Sequence, residues 1–261
     1  MQFVQGFHLL ATVVFVLGSA VVGARLLWLA RRTRQAPELL LGAAILGAAV
    51  FGYGILILAT ILRSSLGPEA EAVPTPVVWL TGFGRIGHDL GVSLFLVFVV
   101  LVFRPGVLWA RSLAGAALLL MWTGLVWGAV EGSFRVAHTG SAAWWCEYAV
   151  IWTYSLWMAF ESFRYWLLMR RRAALGLADP MVTNRFLLWG CGSTLTFLAT
   201  AIASIPFALV GNSDLLITLT PAIYVGTAIA GICSISCSYL AFLPPDWFAE
   251  RVRARAALEG A

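Results

Sequence analysis

Seven predominantly apolar stretches, at approximately 5–30, 38–62, 80–103, 108–130, 144–168, 185–209 and 214–242, account for most of this 261-residue chain. A membrane-crossing helix needs about 20 mostly apolar residues. Backbone polar groups in lipid find no water, so each stretch must close its hydrogen bonds internally as a helix. With 61% hydrophobic and 11% charged residues, the chain also lacks the polar surface that would cover a soluble globule. The expected fold is an all-α integral membrane protein, a seven-transmembrane helix bundle over 1–243, with a tail over 244–261.

The basic residues set the expected direction. All 17 are arginine, and there is no lysine. Fourteen fall on one side of the alternating topology: Arg25, Arg31, Arg32 and Arg34, then Arg104 and Arg111, then Arg164, Arg170, Arg171, Arg172 and Arg185, then Arg251, Arg253 and Arg255. Arg63 and Arg135 fall on the other side, and Arg85 lies inside the third stretch. Arginine-rich loops face the cytoplasm, which places the N-terminus outside and the C-terminus inside. The start Met-Gln-Phe-Val-Gln lacks the basic segment of a cleavable signal. A bacterial cytoplasmic (inner) membrane is the expected location. The net charge of +5 follows from this topology and implies no nucleic-acid partner. Tryptophans near the span ends, including Trp28, Trp79, Trp109, Trp166 and Trp247, suit a headgroup-level aromatic belt. Asp179-Pro180 reads as an N-cap and first-turn proline opening the sixth helix. The tail 246–255 is expected to form an amphipathic helix on the inner surface, its arginines toward anionic lipid.

Ionisable groups inside apolar helices are costly and mark candidate sites. The third stretch carries Thr81-Gly-Phe-Gly-Arg85-Ile-Gly-His88-Asp89, which sets Arg85 one helical turn from both His88 and Asp89, so an Arg85/Asp89 pair with an adjacent imidazole is expected. Glycines 82, 84, 87 and 91 offer a close approach for a neighbouring helix. Glu131 follows Trp127 by one turn, and Glu147 accompanies Trp144 and Trp145. Carboxylates among indoles suit a small cationic or amphipathic ligand. Glu161 and Arg164 form a candidate inner gate or a locally satisfied pair. His8, His88 and His138 are the candidate metal ligands, although no two share the i, i+3 or i, i+4 spacing of a helical metal motif. Cys233 and Cys237 lie within Cys-Ser-Ile-Ser-Cys-Ser, which reads as small-residue helix packing.

Seven spans, an arginine and a carboxylate in the third (Arg85 and Asp89), and prolines in the later helices resemble the layout of microbial rhodopsins. In that family a lysine of the seventh span carries retinal, and a chain without lysine cannot form that bond, so covalent retinal is excluded. The layout is also similar to that of G-protein-coupled receptors, without their acidic-arginine-aromatic triplet or seventh-span asparagine-proline motif. Leu-Ala-Asp-Pro-Met-Val-Thr-Asn-Arg-Phe-Leu-Leu-Trp-Gly and Ala-Arg-Arg-Thr-Arg-Gln-Ala-Pro-Glu-Leu resemble segments of uncharacterised bacterial seven-span proteins.

Three functions fit these residues. The first is a receptor-like sensor binding a small ligand or ion among Arg85, His88, Asp89, Glu131, Glu147, Trp127, Trp144 and Trp145, with arginine-rich loops open to a cytoplasmic partner. The second is a transporter or channel coupled through Asp89 or Glu161. The third is a metal- or haem-binding membrane enzyme built on the histidines.

Overall fold

The computed structural model describes residues 2–65, 73–135, 140–208 and 213–259. Regular structure among them is helical throughout. The helices are α1 (Gln2–Thr33), α2 (Ala36–Ser64), α3 (Thr75–Phe103), α4 (Leu108–Val130), α5 (Ala142–Ala173), α6 (Pro180–Ala208), α7 (Ser213–Phe242) and the short α8 (Asp246–Glu259). Six of them, all but α5 and α8, are long and apolar enough to cross a membrane. At 32 residues α5 has the length. Its tryptophans and tyrosines, together with Glu147, Glu161 and Arg164, lower its mean hydropathy even where their bodies are buried.

The helix boundaries have local causes. Asp179 caps α6: its Oδ1 accepts from the Met181 N–H at 2.7 Å, and Pro180 takes the first turn. Pro76 likewise sits in the first turn of α3, which therefore begins at Thr75, five residues before the expected start. The α4 helix ends in a Schellman motif. Gly132 adopts a φ of 81°, its N–H donates to Ala129 O at 3.1 Å, and the Ser133 N–H donates to Gly128 O at 2.8 Å. Pro206 and Pro221 lie inside α6 and α7.

The described chain forms two compact units. The first comprises 1–18, 155–203 and 219–261. Small residues and hydroxyls join its helices: a Cβ on Gly190 would meet the Phe163 ring at 2.7 Å, and one on Gly18 would meet Ile235 at 2.7 Å. Ser234 Oγ donates to Gly192 O at 3.0 Å and lies 2.9 Å from Thr196 Oγ1, so the Cys-Ser-Ile-Ser-Cys-Ser segment does pack helix on helix. Arg185 Nε donates to Ala241 O at 3.0 Å. In α8, Arg251 and Arg255 share a face and Arg253 points elsewhere, so its positive charge is spread around the helix.

The second unit comprises 19–154 and 204–218. Its centre is the antiparallel crossing of α2 over α3. Positions 46–54 of α2 form a π-helical stretch. Backbone meets backbone here. A Cβ on Gly47 would lie 3.0 Å from Gly91 Cα, one on Gly87 would lie 2.9 Å from Phe51 O, and one on Gly91 would collide with the Ala48 backbone. An α-helix turns about 100° per residue, so a four-residue repeat drifts off one face. The wider i→i+5 turn rotates less per residue, which keeps Ala48, Gly52 and Leu56 aligned on α3 opposite Gly91, His88 and Gly84.

Arginine–indole stacking recurs at helix ends. The Arg25 and Arg32 guanidinium carbons lie 4.4 and 4.1 Å from the Trp28 ring centroid, Arg104 lies 5.4 Å from Trp109, Arg170 5.8 Å from Trp166, and Arg251 5.6 Å from Trp247. These tryptophans hold the arginines through ring-face attraction, a pairing the belt expectation did not include.

Candidate functional site

The site lies within the second unit, where α3, α4 and α5 bring ionisable side chains together. Gly124 on α4 makes this approach feasible, since a Cβ there would lie 2.8 Å from Ala143 O and 3.2 Å from Glu147 Cγ. Glu147 thereby comes to face α3, where Arg85 Nη2 donates to its Oε1 in a part-buried ion pair. One turn along α3, His88 Nδ1 and Asp89 Oδ1 are 3.1 Å apart. Asp89 is 1% exposed, and its Oδ2 has no hydrogen-bond partner among the described residues. Its backbone carbonyl accepts from Ser93 Oγ at 2.7 Å, and Ser93 Oγ accepts in turn from Trp122 Nε1 at 3.2 Å, tying α3 to α4.

The pairing expected within α3 is therefore replaced by one between helices. Side chains on a helix lean toward its N-terminus. Arg85 leans away from Asp89, whose short chain stays with His88. The longer Glu147 meets the guanidinium from α5.

Beside this cluster is a cavity of about 370 Å3, lined by Leu56, Ala59, Thr60, Arg63, Thr81, Arg85, Gly128, Ser133, Ser141, Ala143 and Trp144. Trp144 is buried and stacks on Tyr148 with ring centroids 3.7 Å apart, and Trp145 meets it edge-on at 4.7 Å. Arg63, at the last turn of α2, reaches across so that Nη2 donates to Phe134 O at 3.2 Å. The Schellman turn at Gly132 folds Ser133 back over Gly128 and into the lining. Among the described residues, Ser133 Oγ is buried without a partner, as is Arg85 Nε. Ser141 Oγ accepts the Trp144 N–H at 3.3 Å, which leaves its own proton to give.

The predicted residues divide accordingly. Arg85 and Trp144 line the cavity, and Glu147 is one ion pair away. Glu131 is exposed at the end of α4, where its Oε1 accepts from Trp127 Nε1 at 2.6 Å, so these two neutralise each other's polar groups away from the cavity lining. In the first unit, Glu161 is fully buried and its Oε2 lies 3.3 Å from Arg164 Nη1. His8 Nδ1 lies 3.3 Å from Tyr224 O, with the two rings 5.0 Å apart. His138 lies outside the described residues, among which no three His, Cys, Asp or Glu side chains converge as a metal-binding group. Arg63, Ser133 and Ser141 were not singled out in the sequence. The Glu131-Gly132-Ser133 run carries a legible helix stop, but nothing in it says that Ser133 turns inward.

Set against protein-family models, curated proteins and solved structures, the chain matches none of them, so the site is read from its own geometry.

Proposed function

We propose that this is a receptor-like membrane protein that spans the bilayer seven times, N-terminus outside, and binds a small molecule in the cavity beside Arg85 and Glu147. The arginine distribution supports this orientation, and α5, counted as a span by its length and its buried aromatic residues, brings the six candidate spans to seven. The cavity then opens in the outer half of the bilayer. The observation that carries the reading is the cavity itself. Its volume of about 370 Å3 is in the range of small-ligand sites, and it combines apolar walls with a few polar groups. A seat for a ligand also accounts for the buried polar atoms of Ser133 and Arg85 that have no partner among the described residues.

Thermal unfolding of the purified protein in lipid nanodiscs tests this with benzoate, benzamide and benzamidine, three planar probes of one shape and different charge. At least one should raise the melting temperature by several degrees, because a ligand that binds only the folded state stabilises it by mass action. Ala59→Phe, which fills the cavity from a residue that is 3% exposed, should abolish the rise. If none of the three shifts the wild type, or if Ala59→Phe leaves the shift intact, this cavity is not a ligand site.

A second reading, transport, is favoured by Asp89 and Glu161, carboxylates that are 1% and 0% exposed inside long helices. It predicts proton flux in liposomes under an imposed pH gradient, lost in Asp89→Asn or Glu161→Gln. Liposomes that stay proton-tight with the wild type would end it.

A further inference from the structure

We infer that the cavity selects a small organic anion, a carboxylate on a compact apolar body, with Arg63 as the residue that holds the charge. This rests on the ligand-binding reading above and adds the sign of the ligand. Two carboxylates near the cavity invite the opposite assignment, yet neither is available to a cation. Glu147 is bound by Arg85, and Asp89 is 1% exposed beside His88 and does not contribute to the lining. Among the described residues, the charge left over on the wall is Arg63. Among the described residues its partner is one neutral acceptor, the Phe134 carbonyl at 3.2 Å, which leaves most of the guanidinium's N–H groups to spare.

The neutral donors agree in sign. Ser133, next to Phe134 in the chain, has a buried hydroxyl with no partner among the described residues, and Ser141 accepts a backbone N–H and keeps its proton to donate. Thr60 and Thr81 spend their protons on the Leu56 and Val77 carbonyls at 2.8 and 2.9 Å, and offer lone pairs only. They suit the ligand's own N–H or O–H, away from its charge. Arginine binds carboxylates in a planar fork, and its charge repels a cation. Leu56, Ala59 and the Trp144 indole provide the apolar wall for the ligand body.

The same chemistry would take the phosphate of an anionic lipid, so the test separates the two sources. Binding of benzoate, benzamide and benzamidine is measured by isothermal titration on the full-length protein in phosphatidylcholine nanodiscs. The titrations are repeated with phosphatidylglycerol, and with Arg63→Gln and Arg63→Lys. The expected result is benzoate binding at least about tenfold tighter than benzamide, no benzamidine binding, loss of that preference in Arg63→Gln and partial recovery in Arg63→Lys. Equal benzoate affinity in both lipids identifies a free organic anion. Benzoate binding abolished by phosphatidylglycerol assigns the seat to a lipid headgroup and overturns the proposal. Benzamidine binding overturns the anion while leaving a ligand site. Arg63→Gln that folds and binds benzoate normally overturns the role of Arg63. Silence from all three probes removes both the anion and the cavity reading.

Discussion

Valine at position 91 is expected to separate α2 from α3 and to destabilise the protein by about 3 kcal/mol or more. A side chain there would have to enter the Ala48 backbone, which cannot swing aside as a flexible side chain can. The contact also lies in the π-helical stretch, where Gly47, Ala48, Phe51 and Gly52 all bear on α3. Displacing one turn therefore displaces the rest. Because His88 is held against Gly52, the His88–Asp89 pair should be disturbed as well. Gly115→Ala on α4 is the control. Nothing lies within 4 Å of the added methyl, and alanine favours the helix by up to about 1 kcal/mol. Thermal or denaturant unfolding in one detergent checks both. A Gly91→Val protein that melts with the wild type would show that the close crossing is dispensable.

That crossing also marks what a single sequence can reveal. The spacing of glycines 82, 84, 87 and 91 announces a face of α3 that admits another helix, because a missing side chain is visible in any reading. The widened turn of α2 is not visible there, since i→i+5 bonding has no residue signature and arises only when the two helices meet. The long helices were legible for the same reason as the glycines. Apolar runs and their stops, Asp179-Pro180 among them, are local features. The partner of Arg85 was not, because that depends on which turn of α5 faces α3, a choice made by Gly124 and the length of the glutamate. For Glu131 the residue type suggested a site, while its place on the outer surface of α4 gave the carboxylate to Trp127. In the sequence, Arg63 is one of two arginines on the sparse side of the charge distribution, with nothing local to set it apart. Only folding shows that it turns inward over the cavity.

The ion pair of Arg85 with Glu147 should be far costlier to break on one side than to remove entirely. Arg85→Met leaves a buried carboxylate without its cation, and Glu147→Leu leaves a guanidinium facing apolar helix. Each is expected to cost about 3–5 kcal/mol. The double variant removes both desolvated charges and substitutes apolar groups of comparable size, so its stability should return to within about 1 kcal/mol of the wild type. The coupling between the two changes would then be large and favourable, well beyond the few tenths expected of independent sites. His88 and Asp89, one turn from Arg85, are unchanged in sequence in all four proteins. The cycle is read from unfolding of all four proteins in the same detergent. Additive losses, with the double variant as weak as the sum of the singles, would mean that each residue is held by other contacts and that the pair does not join α3 to α5. Recovery of stability with loss of ligand-induced stabilisation would separate two roles of Arg85. It would close a helix interface through Glu147, and it would offer the proposed ligand an Nε–H group that has no partner among the described residues.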